Sequence, residues 1–230
     1  MSYEYARMPQ GDNWLDDLPA RYRHGHNGFD LRLARELAEV GVRCYTLGDL
    51  SNGPRTIPPA IPIFVDWLEH LDERIPGPQT HHKWAIRTGL IRNLIDPAAK
   101  RNRRAIDVLF REIERTDAPL QPHVEFWAVS ALDTIAERSD YDRMVRLLHT
   151  LSNVESKVPI LHYLGQFKTA AARELILPFV ADSNTRAPAI KALARFGNSA
   201  DRALIAQYRD DANAQVRNAV KSALAKIGAE

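Results

Sequence analysis

The chain has 230 residues, 45% of them hydrophobic and 26% charged, with a mean hydropathy of −0.35. This is the balance of a water-soluble globular chain with enough apolar material for a substantial core. A formal net charge of +2 excludes a polycation, the single cysteine, Cys44, excludes an intrachain disulfide, and no apolar run approaches the ~18 residues of a membrane span. Charge is unevenly spread: residues 1–79 hold 8 basic and 12 acidic residues, and residues 80–230 hold 23 and 17. The second part is mildly basic, a weak signal for an anionic partner.

Residues 1–28 are polar and interrupted by Pro9, Gly11, Pro19, Gly25 and Gly28. They read as an N-terminal arm, flexible or docked through Trp14, Leu15 and Leu18. The arm lacks the apolar core of a signal peptide, so a cytoplasmic chain is expected. From Phe29 the texture turns helical. Asp30 is placed as an N-cap, and Leu33, Leu37 and Val40 follow as one helix face. Three further stretches show apolar residues at helical spacing. One runs from Val124 through Trp127, Ala128, Ala131 and Leu132 to Ile135. The second holds Ala172, Leu175, Ile176, Phe179 and Val180. The third holds Val216, Ala219, Val220, Ala223, Leu224 and Ile227. Trp127 is expected in the core with its stripe, and Trp67 likewise.

An internal repeat fixes the expected architecture. "LGQFKTAAARELI" from Leu164 aligns with "LARFGNSADRALI" from Leu193, 29 residues on, and "LAKIGAE" from Leu224 opens a further copy 31 residues later. "LDTIAERSDYDRMV" from Leu132 is an earlier copy. Arg143, Arg173 and Arg202 hold equivalent places. A period near 30 with two helices per unit is the signature of a helical solenoid. The expected pairs of an A helix and a B helix are 59–73 with 80–95, 102–116 with 121–138, 140–151 with 156–167, 170–181 with 185–196, and 199–209 with 212–228.

These repeats carry a resemblance. "DANAQVRNAVKSALAKIG" is similar to the second half of a HEAT repeat, through Asp211, Val216, Arg217, Ala219, Ala223, Leu224, Ile227 and Gly228. "NTRAPAIKALARFG" is a degenerate copy with Pro188 where a helix former is expected. The front, "LARELAEVGVRCYTLGDLSNGPRTIPPAIPIFVDWLEHL", resembles bacterial HEAT-like proteins, the PBS-lyase-HEAT-like group. Together they cover about residues 30–230. The resemblance implies an all-α fold, a right-handed α-α superhelix of about five to six helical pairs forming a single domain over 29–230. It implies almost nothing about activity. It also gives Arg217 a structural role, pairing with Asp210 or Asp211.

No catalytic constellation stands out. G-x-S-x-G, P-loop and G-x-G-x-x-G motifs are missing. His24 with His26, and His81 with His82, lack carboxylates at metal-ligand spacing, so no metal and no cofactor is expected. Cys44 reads as a small buried hydrophobe. The candidate surface is basic. "KRNRR" brings Arg101 and Arg104 to the start of an A helix, where positive charge opposes the helix dipole. Arg87, Arg92, Lys157, Arg186, Lys191, Arg195, Arg217, Lys221 and Lys226 lie on B helices. Arg186, Lys191, Arg195, Lys221, Arg101 and Arg104 are the partner-binding candidates.

The first functional expectation is a non-catalytic scaffold that binds another protein through its concave face. The second is nucleic-acid binding through a basic B-helix stripe. The third is a HEAT-like DNA glycosylase, which needs Trp84 or Trp127 exposed beside an acidic residue. A membrane partner and a small-molecule substrate are not expected.

Overall fold

The computed structural model describes residues 4–6, 8–22, 28–53 and 56–227. Thirteen α-helices and no strand occur among them. The fold is all-α. The chain divides into two compact units, 1–137 and 138–230.

In the first unit, α1 (Leu31–Glu39) opens under Asp30, whose carboxylate accepts from the Arg32 and Leu33 amides. The helix buries Leu33, Ala34 and Leu37. It ends at Glu39, so Val40, expected on its apolar face, lies past the last turn and is exposed. Short α2 (Leu47–Ser51) begins with a capping box between Thr46 and Asp49. A 3-10 turn at Pro58–Ala60 leads into α3 (Ile61–Glu69), with α4 (Leu71–Arg74) directly after it. Next come α5 (His81–Asn93), α6 (Arg103–Glu114) and α7 (Pro122–Ile135). Helix α5 is the hub of this unit and packs against α2, α3 and α7, while α6 packs on α3 and α7. Gly89 of α5 permits the approach of α2: a Cβ there would meet the Leu47 Cβ at 2.5 Å.

The described part of the N-terminal arm packs down. Trp14, Tyr22 and Phe29 are buried with Ala34, and Leu15, Leu18 and Tyr45 pack against them. Tyr45 stacks on Tyr22 at 4.8 Å and meets Trp14 edge-on at 5.6 Å. The aromatic surface removed from water accounts for the docking.

The second unit contains α8 (Tyr141–Thr150), α9 (Val154–Leu164), α10 (Ala170–Ile176), α11 (Arg186–Leu193), α12 (Asp201–Ala206) and α13 (Ala214–Lys226). A 3-10 turn, Leu177–Val180, extends α10. Helices α9, α11 and α13 pack side by side, and α8, α10 and α12 back them. All five expected helix pairs correspond to observed pairs, with ends trimmed by a few residues. Pro188 falls in the first turn of α11, where a missing N–H leaves no intrahelical bond unmade, so the helix tolerates it. Gly165 lets α9 approach α11, since a Cβ there would lie 3.2 Å from the Ala192 Cα and Cβ.

The repeated arginines tie neighbouring pairs. Arg173 Nη2 donates to Asp201 at 2.5 Å, and that carboxylate is fully buried at the start of α12. One pair on, Arg202 donates to the carbonyls of Leu224 and Ile227 at 3.0 and 2.7 Å, satisfying the C-terminal end of α13.

Candidate binding groove on helix α5

One stripe of α5 is left open. His81, Trp84, Ala85, Thr88 and Arg92 recur at helical spacing, while Lys83, Ile86, Arg87, Leu90 and Ile91 on the remaining faces are buried. The stripe floors a cleft of about 330 Å3. Thr46 and Gly48 at the start of α2 form one wall, and Gln121 and His123 at the start of α7 form the other. No carboxylate lines this cleft among the described residues.

Arg92 also borders a second cleft, of about 390 Å3, with Asn52, Asp96 and Trp127. Its guanidinium carbon sits 5.1 Å from the Trp127 ring centre, and Nη2 donates to Asn52 Oδ1 at 3.3 Å. Stacking on an indole and a polar tether hold a guanidinium in one orientation. Among the described residues Arg92 has no carboxylate within salt-bridge distance. Asp96, past the end of α5 and capping the 3-10 turn Pro97–Ala99, is buried, and its two oxygens accept from the Ile57 amide at 2.5 Å and the Ala98 amide at 2.7 Å. Asn93 braces the α2 wall: its side-chain nitrogen lies 2.9 Å from the Leu47 carbonyl and 2.8 Å from that of Gly89.

Trp127 therefore does not sit wholly in the core. Its stripe is buried at Val124, Ala128, Ala131 and Leu132, but Trp127 itself is only partly buried. It emerges at the rim, where Arg92 covers it. Trp84 is also partly exposed, on the groove floor. Trp67 is fully buried, its indole N–H donating to Glu36 at 2.7 Å.

A third depression, of about 500 Å3, is lined by Asp72, Gln79, Lys83, Arg115 and Asp117. Its charges pair with one another. Lys83 and Arg115 each lie 2.7 Å from Asp72, and Arg115 lies 2.8 Å from Asp117. Behind them Arg87, with no exposed surface, contacts Glu112 at 2.5 Å and Asp72 at 3.1 Å. Burial pushes Asp72 up, but bonds from Lys83 and Arg115 and the charge of Arg87 outweigh it and hold the carboxyl below its ordinary value. Burial pushes Glu112 up, and Arg87 offsets only part of the rise. This cluster braces α4, α5 and α6, with Arg87 Nε and Gln79 Oε1 left buried and without a hydrogen-bond partner.

The basic candidates divide. Arg186 donates to Asp211 at 2.6 Å and to the carbonyls of Val180 and Ala181, and lies over Tyr208. Arg217 donates to the backbone carbonyls of Asp211 and Ala212 rather than to a carboxylate, because Arg186 occupies Asp211. Arg104 pairs with Glu69 at 2.5 Å. Arg101 takes a left-handed backbone (φ 67°), with its side chain 3.6 Å from Glu137. Arg195 is exposed and lies 2.6 Å from His162 Nε2. Lys191 and Lys221 are exposed on α11 and α13 and have no ion pair among the described residues. Arg87, also read as a surface cation, is buried.

His82 is 3.7 Å from Asp30, while His24 and His26 lie outside the described residues. No group of three His, Cys, Asp or Glu side chains placed to hold a metal occurs among the described residues. Cys44 is buried, and burial pushes its thiol up, away from nucleophilic chemistry. The α5 groove itself was missed in the sequence. The low amphipathicity of "HHKWAIRTGLIRN" marks a helix with partners on nearly every side and does not reveal the stripe left open. Compared with known proteins, the chain matches no family model and no curated sequence.

Proposed function

We propose that this chain is a non-catalytic binding module of the HEAT-like class that takes a segment of another protein. Its helix pairs are read as successive turns of one right-handed α-α superhelix, with B helices on the concave side. A repeat near 30 residues and five successive A–B helix pairs support that reading. The observation that carries the function is the open stripe of α5, where Trp84, Thr88 and Arg92 form a braced groove of mixed aromatic and polar character. A rigid groove with aromatic floor and polar rim suits an extended protein segment. The assembled nucleophile and base that an enzyme needs are missing from the groove's described lining. A glycosylase-type reading requires a carboxylate open to the groove near Trp84 or Trp127; both Asp96 oxygens accept backbone amides, and Glu125, two residues before Trp127, has a buried Oε1 without a hydrogen-bond partner but lines neither cleft.

Nucleic-acid binding is the second reading, favoured by the exposed Lys191 and Lys221 on α11 and α13. Affinity capture separates the two. The wild-type chain is expected to retain a defined protein that Thr88→Arg, which fills the groove, fails to retain at unchanged melting temperature. Equal capture by both forms counts against the groove. Salt-sensitive binding to a 20-mer oligonucleotide, abolished in Lys191→Glu/Lys221→Glu, would replace the first reading by the second.

A further inference from the structure

Resting on the groove as a protein-binding site, we infer that its partner is an acidic linear segment: one Asp or Glu flanked by bulky apolar side chains, with the carboxylate on Arg92. Three observations lead there. Arg92 is the one residue shared by the described linings of both clefts, and its guanidinium lies over the Trp127 ring and donates to Asn52. Guanidinium groups held in plane accept a carboxylate in two-point geometry with little further loss of freedom. The described lining of the first cleft has Arg92, two histidines and neutral side chains but no Asp or Glu, and Asp49 behind Thr46 is engaged by the Thr46 amide and hydroxyl. The one carboxylate of the second cleft, Asp96, is buried and engaged by two amides. Finally, partly exposed Trp84 lines the first cleft and Trp127 the second, with Arg92 in both, so apolar side chains flanking the acid find aromatic surface in either cleft.

The same charges argue against a nucleic-acid strand in this groove. A phosphate backbone needs cations repeated along its path. Other arginines of this unit are engaged internally: Arg103 with Asp107, Arg104 and Arg111 with Glu69, and Arg74 with Glu36 and Asp66. In the described linings of the two clefts Arg92 is the one guanidinium, which matches a single carboxylate.

The test is selection from a random 12-residue peptide library displayed on phage against the full chain, followed by binding measurements with synthetic peptides. Enriched sequences are expected to share an acid beside Leu, Phe or Trp. Replacing that acid by its amide should weaken each peptide about tenfold, and Arg92→Gln should weaken the acidic form by a similar factor while leaving the amide form unchanged. Arg92→Lys, which keeps the charge but loses the planar fork, should fall between. Enriched peptides without an acid, or acidic peptides indifferent to Arg92→Gln, overturn the inference. If such peptides still lose binding in Thr88→Arg, the groove remains a protein site and only the acidic preference fails. A library that yields no binder overturns the inference as well. A dT12 oligonucleotide that displaces every selected peptide overturns both.

Discussion

Arg87 and Glu112 form a charged pair inside the first unit, with Arg87 carrying no exposed surface. A lone charge there would be expensive, so each group depends on the other. Arg87→Met should destabilise the fold by about 3 kcal/mol, and Arg87→Met/Glu112→Leu should recover much of that, both read by urea denaturation. Asp72 sits at the outer edge of the same network, below its ordinary value of 3.8. Its contribution is present above that value and is lost as pH falls through its lower folded value, because the unfolded chain then binds the proton first. Glu112, raised above 4.5, acts in the opposite sense: its contribution is fully present below 4.5 and declines as pH rises through its folded value. Asp72→Asn should therefore flatten the loss of stability as pH falls below the ordinary carboxyl value of 3.8, measured by urea midpoints. A mutant with the same acid slope as the parent would show that the Asp72 pairs contribute nothing.

At the scale of elements, close approach and capping do most of the positioning. Gly89→Ala places a methyl group against Leu47, and α2, the groove wall, must shift; a loss of about 1–3 kcal/mol is expected in thermal or urea unfolding. Asn213, whose carboxamide accepts from the Gln215 amide, caps α13, and Asn213→Ala should cost about 1 kcal/mol in the same measurement. Trp14→Ala should cost about 3 kcal/mol by emptying the cluster that holds the arm against α1. The helices were legible in the sequence because their signals are local. Apolar spacing marked Val216, Ala219, Val220 and Ala223, all buried, and Asp30 announced its cap. The groove was not legible, because openness is a property of three helices together. Whether Trp127 faces core or rim depends on how closely α5 and α7 approach, which neither stripe encodes. The same limit applied to the cations. Arg87, Arg92 and Arg186 look alike on a helix, and only the carboxylates and carbonyls brought from elsewhere separate a buried strut, an available guanidinium and a cross-tie.

For the molecule as a whole, the charge pattern and the contacts point the same way. Ties such as Arg173 to Asp201 and Arg186 to Asp211 commit individual arginines of residues 80–230 to acids of the same stretch; they leave its net positive excess unchanged but reduce the number of cations open to a partner. The candidate surfaces are a braced groove in one unit and, in the other, exposed cations that include Lys168, Lys191, Arg209, Lys221 and Lys226. The account therefore places the partner on α5. Site-specific photo-crosslinking from Thr88, compared with the same crosslinker at Lys191, tests that placement directly. A discrete protein adduct from Thr88, suppressed by a selected acidic peptide and not produced from Lys191, is the result the account predicts. Adducts from Lys191 alone, or crosslinked nucleic acid at either position, would contradict it.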